Sequence, residues 1–231
     1  MFWYPPILAY HRVHPDGATD TPTIPPAIFE KQMAILATRW KPVPLLDLVI
    51  RVEEGQPLDR REVAVTFDDG TEDNFTQAYP ILKRHRVPAT IFVITENIGQ
   101  PGFLNKSQIA EMANQGITFG SHTLHHAYLP KLSITRVREE LTESRTKLQA
   151  MGLAADLFSY PAGGFSQEAI HAMQQAGYRA ACTTNRGFHR FPINRWALRR
   201  ITMHSNATTA FGMWLRCCGY YGLNRRLRSP S

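Results

Sequence analysis

This sequence predicts an α/β fold of alternating strands and helices, on three observations. Short apolar runs recur along the chain, amphipathic stretches at helical spacing separate them, and 231 residues at 43% hydrophobic suffice to bury one full core. The first strand is expected at Ile7–Tyr10. Phe29, Met33 and Leu36 then repeat at helical spacing, so one face of that segment packs on a sheet. Val63–Phe67 is an apolar run that ends at Asp68-Asp69-Gly70 and reads as a buried strand. Thr90–Ile94 and Ile117–Ser121 are the next two strands, and Ile134, Val137, Leu141 and Leu148 mark a long helix. Leu157–Tyr160 and Tyr178–Thr183 complete the series. Pro22, Pro25 and Pro26, and the charged stretch Glu53 to Arg61, read as loops rather than linkers. No internal repeat or low-complexity tract is visible, so residues 1–231 are expected to form a single domain.

Chemistry concentrates at two strand ends. Thr66-Phe67-Asp68-Asp69-Gly70 offers one carboxylate more than simple ligation needs, at the end where a parallel β/α fold exposes its chemistry. Adjacent residues on extended backbone point to opposite sides, so the two aspartates are expected to have different jobs. One can ligate a divalent cation while the other takes a proton from a water held by that cation. His122 and His126, four apart, would share a face on a helical turn, and Asp plus two His leaves a coordination position open, as catalytic sites do. His125 competes with His126, and spacing does not choose between them. Either cluster alone is more often structural, a D-D-G turn or polar loop histidines. Their joint placement after strands makes the catalytic reading the stronger one.

At these residues the chain resembles the polysaccharide deacetylase family, the NodB homology group of carbohydrate esterases (carbohydrate esterase family 4). The resemblance runs from Leu8-Ala9-Tyr10-His11-Arg12-Val13 through the T-F-D-D-G run, Tyr79–Lys83, Ala89–Val93 and Gly120–His126. It continues to Phe158-Ser159-Tyr160-Pro161-Ala162-Gly163 and Leu198–Ile201, and so covers nearly the whole chain. The order of motifs is similar to the branch acting on N-acetylglucosamine polymers. It implies a distorted, incomplete (β/α) barrel and removal of N-acetyl groups from an amino sugar with release of acetate. It also implies Asp68 as general base, Asp69, His122 and His126 as ligands of a divalent metal such as Zn2+, and His125 as a bystander. The Ala162 backbone N–H matches the oxyanion donor. The chain departs from the pattern where the family often has tyrosine (Ala162) and arginine (Ser159). Arg200, or else Arg199, is expected to restore a positive charge beside Asp68, against the plainer reading of a surface salt bridge. His204 falls about where the family has the histidine that protonates the departing amine, although a loop histidine is commonly just solvated.

The net charge of +7 raises nucleic acid as a partner, but the basic residues are scattered and no recognised module is present, so a carbohydrate partner is expected instead. From about residue 212 the chain mixes Trp214, Leu215, Tyr220, Tyr221 and Leu223 with Arg216, Arg225, Arg226 and Arg228. That composition suits peripheral contact with an anionic membrane, which would make a lipid-linked amino sugar an alternative substrate to a free N-acetylglucosamine-containing glycan, with a docked helix and a solvated basic tail as the plainer reading. Phe2, Trp3, Tyr4 and Tyr10 are candidate sugar-stacking residues, although aromatics at strand starts usually fill core. Cys182, Cys217 and Cys218 make no disulfide framework, and no signal peptide or membrane span is evident, so a cytoplasmic setting is expected. Rival functions are an amidohydrolase acting on non-sugar amides, an inactive glycan-binding relative, and an anion- or membrane-binding protein.

Overall fold

A computed structural model describes residues 4–15, 22–184 and 193–217. Strand β1 (Ile7–Tyr10) is wholly buried and leads into short strands β2 (Arg12–Val13) and β3 (Thr23–Ile24). Helix α1 (Pro26–Arg39) begins on Pro26, where a missing N–H costs nothing and φ is preset, and it buries Phe29, Met33 and Leu36. There follow β4 (Lys41–Pro42), α2 (Leu45–Glu53) and β5 (Glu62–Phe67). A π-helical turn, Asn74–Ala78, leads into α3 (Tyr79–His85), β6 (Ala89–Val93) and α4 (Lys106–Asn114). An Asn105–Gln108 capping box opens α4, each side chain bonding the other's backbone N–H. Next come β7 (Thr118–Ser121), α5 (Ile134–Ala150), β8 (Leu157–Ser159), α6 (Gln167–Ala176) and β9 (Ala180–Thr183). The described chain ends with β10 (Leu198–Arg199), β11 (Ile201–Thr202) and α7 (Ala210–Cys217).

The main sheet is parallel throughout, in the order β10-β9-β8-β7-β6-β5-β1-β11, with β4 paired to β5. Its two ends are consecutive in sequence. Leu198 and Arg199 pair with β9, Ile201 and Thr202 pair with β1, and Arg200 lies between them. One strand interrupted at Arg200 therefore bridges both edges and brings the sheet nearly to closure, the incomplete (β/α) barrel that the family resemblance implies. Strand alternation sends Val63, Val65 and Phe67 outward against Phe29, Met33 and Leu36. The opposite set, Ile7, Ala64, Phe92, Leu157, Ala180 and Leu198, forms an inner cluster with Leu45, Leu48 and Val49 of α2, at the end where the strands begin. Gly120 makes this inner packing possible. A Cβ there would sit 2.6 Å from the Leu157 carbonyl oxygen and 2.7 Å from the Phe92 ring.

The predicted elements shift only at their ends. Tyr178 precedes β9 because Gly177, at φ 87°, ends α6, and the Tyr178 hydroxyl donates to the Leu141 carbonyl at 3.0 Å. Ile134 is 39% exposed because it opens α5 rather than facing the sheet. Residues 212–217 belong to α7, which buries Met213, Arg216 and Cys217, and the rest of the expected tail lies outside the described residues. Cys218, Tyr220, Tyr221, Leu223, Arg225, Arg226 and Arg228 lie outside the described residues, as do Phe2 and Trp3. Tyr4 and Tyr10 are core. Among the described residues no helix is long and apolar enough to cross a membrane.

Candidate active site

The site is built at the ends where the strands of the barrel finish. Asp68 continues the inward alternation of Ala64 and Thr66, its N–H donating to the Tyr10 carbonyl at 3.1 Å, and it is 2% exposed. Arg200 reaches it from the barrel seam. Its Nη1 and Nη2 donate to Asp68 Oδ1 at 2.8 Å and Oδ2 at 2.6 Å. The remaining donors go to Thr66 Oγ1 (3.2 Å), Ser159 Oγ (2.8 Å) and the Thr183 carbonyl (3.4 Å). All five guanidinium hydrogens thus have acceptors, and the cation stands 5.6 Å above the Phe92 ring. The surface salt-bridge reading of Arg200 is therefore excluded by its burial. Its guanidinium also meets Ser159, where the family often carries arginine, so the charge arrives from another strand. Burial alone would raise the Asp68 carboxyl. The Arg200 charge foremost, then His122 and the Arg200 hydrogen bonds, outweigh it and hold Asp68 well below the usual carboxylate range.

Asp69 turns away from its neighbour for a reason the extended-strand argument did not contain. Its backbone is left-handed, φ 71°, and so is that of Gly70, where a Cβ would meet Val93 Cγ1 at 2.6 Å. Burial, then the Asp68 charge, push the Asp69 carboxyl up to about 6 before any cation binds. His122 and His126 converge on it without the expected helical turn. The segment is a loop with Thr123 at φ 67° and His126 at φ 60°, and it brings the two rings to 4.9 Å between centroids. Buried Glu140 of α5 holds that loop. Its Oε2 accepts from the Leu124 and His125 N–H groups, both at 3.0 Å, and its Oε1 lies 2.8 Å from His125 Nδ1. This turns His125 aside.

The donor set fits a divalent cation. Asp69 Oδ1 lies 3.5 Å from His122 Nε2 and 3.6 Å from His126 Nε2, too long for good hydrogen bonds. Ligand atoms bound about 2.1 Å from a tetrahedral ion stand roughly 3.4 Å apart, which matches. His122 Nδ1–H donates to the Ser159 carbonyl at 2.8 Å, which leaves the Nε2 lone pair facing Asp69. Burial lowers His122 to about 4 and lowers His126 as well, so both imidazoles are neutral, as ligation requires. Asp69, His122 and His126 are close enough to hold one metal ion.

Ala162 sits three residues past Ser159 in a turn with φ 52°, exposed, with its carbonyl accepting from Thr184 Oγ1 at 3.2 Å. His204 is exposed on the loop after β11, where its carbonyl accepts from Gln32 Nε2 at 3.0 Å. A different histidine acts electrostatically on the site. His11, directly after β1, pulls down both Asp68 and Asp69, and its Nδ1 is buried without a hydrogen-bond partner. Asn74 Nδ2 donates to the His11 carbonyl at 2.9 Å and fixes its backbone. The signal for His11 is its place at the finishing end of a barrel strand, the same rule that singles out Asp68.

Comparison with known proteins places the chain's family and fold. The family model for polysaccharide deacetylase matches residues 55–181. The Bacillus subtilis (strain 168) polysaccharide deacetylase homologue YxkH is 30% identical over 213 residues, 91% of this chain and 75% of that protein. A Staphylococcus aureus (strain MSSA476) poly-beta-1,6-N-acetyl-D-glucosamine N-deacetylase is 30% identical over 135 residues, and the match spans 52% of this chain and 47% of that protein. In fold, the Streptococcus pyogenes deacetylase PplD in complex with acetate superposes with a TM-score of 0.86 at 24% identity, covering 92% of this chain and 97% of that one.

Proposed function

The chain belongs to the polysaccharide deacetylase family, and from that premise we propose that it is a single-domain, metal-dependent hydrolase. It removes N-acetyl groups from an N-acetylglucosamine-containing glycan and releases acetate. The observation that carries the reading is the convergence of Asp69, His122 and His126 beside an ionised Asp68. Held by those three side chains, a divalent cation, which we assign as Zn2+, supplies Lewis-acid polarisation and a water of lowered pKa. The chain's own groups do the rest. Asp68, ionised at neutral pH, accepts a proton from the attacking water through a lone pair that Arg200 leaves available. Arg200 keeps the base charged and orients it. The Ala162 N–H donates to the oxygen on which charge develops. A histidine then gives a proton to nitrogen as the C–N bond breaks, leaving acetate and a free amine. For this step the candidates are His204 and His11, which directly follows β1 and whose Nδ1 is buried without a hydrogen-bond partner among the described residues. The name of the staphylococcal relative supports a β-1,6-linked N-acetylglucosamine polymer as substrate.

The test is acetate release from N-acetylglucosamine oligomers against a panel of non-sugar amides, with and without chelator. Chelator-sensitive release from the sugars alone is expected. An Asp68→Asn protein as fast as the parent, or equal turnover of non-sugar amides, overturns the reading. Comparing His11→Ala with His204→Ala assigns the acid, because the true donor alone removes the basic limb of the pH–rate profile.

A further inference from the structure

The loop that carries Asp68 and Asp69 turns back on the segment after β1 and takes hold of it. The Asp68 N–H donates to the Tyr10 carbonyl at 3.1 Å, and Asn74 Nδ2 donates to the next carbonyl, that of His11, at 2.9 Å. Asp73 Oδ2 accepts from the Val13 N–H at 2.6 Å, and its Oδ1 accepts from Arg12 Nε at 3.2 Å. Tyr10, His11, Arg12 and Val13 are thus gripped one after another. Asp73 is 4% and Asn74 0% exposed, where the π-helical turn Asn74–Ala78 begins, a rare winding that is frequent at functional sites. Asn74 is itself fixed from behind. Its N–H donates to the Thr71 carbonyl at 2.9 Å, and its Nδ2 also reaches Thr71 Oγ1 at 3.4 Å. The proposed reaction uses neither Asp73 nor Asn74, and burying a carboxylate and an amide is costly unless they hold something.

What they hold is the His11 side chain. Strands β1 and β5 pair with Tyr10 beside Phe67, so His11 comes next beside Asp68. Both follow the alternation of the inner face, which Ile7 and Ala64 mark on the two strands. The His11 residue is partly exposed, yet its Nδ1 is buried with no hydrogen-bond partner among the described residues. Asn74 Oδ1 is buried and unpartnered in the same way. A neutral imidazole has one N–H to donate and an amide oxygen only accepts, so the two orphans are complementary. The amide that offers the acceptor is already bonded, through its nitrogen, to the carbonyl of the histidine that offers the donor. Buried polar groups left unmet are expensive, which favours the arrangement that pairs them.

We propose that Asp73 and Asn74 are positioning residues for His11. The two clamp its backbone, and Asn74 Oδ1 takes the His11 Nδ1–H, directly or through one bridging water. His11 is thereby held in the Nδ1–H tautomer, with Nε2 turned to the pocket beside Asp68 as the nitrogen that gives or takes a proton there. The acceptor serves both protonation states, since Nδ1 donates in the imidazolium as it does in this tautomer. Only the kinetic consequence rests on the deacetylase reading, because the tautomer exists with or without substrate.

The experiment records long-range proton–nitrogen correlations of the chelator-treated full chain carrying isotope-labelled histidine, with His11→Ala identifying the His11 signals. The Nδ1–H tautomer is expected in the parent wherever the ring is neutral. Asn74→Ala should release the ring to the Nε2–H form or a mixture, whereas Asn74→Asp keeps an acceptor oxygen and should retain Nδ1–H. In acetate release from N-acetylglucosamine oligomers, Asn74→Ala should lower kcat by about 10–100-fold with KM and Zn2+ affinity unchanged. It should add little once His11→Ala is present, and Asp73→Ala should follow the same pattern. A parent whose His11 is the Nε2–H tautomer overturns the proposal whatever the variants do. So does a tautomer that ignores Asn74→Ala, or, in an active parent, a kcat that ignores it or falls as far with His11 already removed. A parent that releases no acetate removes the deacetylase reading alone, and the tautomer measurement then decides the positioning role by itself.

Discussion

Replacing Arg200 by methionine tests the buried pair that organises the site. The substitution keeps a long side chain in the barrel seam but removes both donors to Asp68, together with the bonds to Thr66, Ser159 and the Thr183 carbonyl. Removing one partner of a buried pair costs about 3–5 kcal/mol, since the other charge is stranded, whereas replacing both is often neutral. Arg200→Met should therefore lower the midpoint of thermal unfolding by roughly 6–20 °C for a chain of this size, and Asp68→Asn combined with it should recover much of the loss. Urea titration of the four proteins gives the coupling energy. The acid response supplies a second readout. Asp68 is held low in the fold, so its contribution is complete above about pH 4 and is lost as pH falls through and below that value. In Arg200→Met burial acts unopposed by that cation, the carboxyl moves up, and the acidic limb of the pH–rate profile moves up with it. A cost under about 1 kcal/mol, with no rescue in the double variant and no shift of the limb, would refute the reasoning.

Cation affinity should fall as pH drops through about 6, because Asp69 must lose its proton to ligate, and the decline steepens towards about 4 where His122 protonates. Calorimetry of Zn2+ binding to the chelator-treated chain across that window should give a slope near one proton per ion at its upper end; a flat profile counts against Asp69 as ligand. The Glu140→Ala chain loses the acceptor for the Leu124 and His125 N–H groups, which lets the 122–126 loop relax, and its Zn2+ affinity should drop by about 10–100-fold. An unchanged affinity would show that the loop holds its shape unaided. Gly120→Ala forces a Cβ against the Phe92 ring and the Leu157 carbonyl, and urea unfolding should register a loss of about 1–3 kcal/mol.

How much of this is legible in the sequence depends on the range of the interaction. Val63–Phe67 and Ile7–Tyr10 are readable because burial on both faces demands largely apolar runs, whereas the Asp68-Asp69 pair, bland as a D-D-G turn by itself, stands out only jointly with the histidine cluster after another strand. Spacing makes His122 with either His125 or His126 readable and the family resemblance chooses His126, yet the mechanism inferred for the pairing, a helical turn, is not the one used. The loop instead takes left-handed backbone at Thr123 and His126, stabilised by a glutamate on a distant helix. No local pattern encodes a contact of that kind.

Arg200 shows why the rest stays hidden. Nothing in Leu198-Arg199-Arg200-Ile201 announces a strand that leaves one neighbour and joins another across a single residue. Once that switch occurs, geometry decides the rest. Arg199 stays in the β10 ladder, and Arg200 falls at the interruption, where its side chain enters the barrel. An arginine buried there needs five acceptors, and three of the residues that supply them, Thr66, Asp68 and Ser159, come from strands with no sequence proximity to it. The carboxylate proposed as the base and the closure of the barrel consequently depend on one residue. Stability and activity should therefore fail together when Arg200 changes, but separately when Asp69 does.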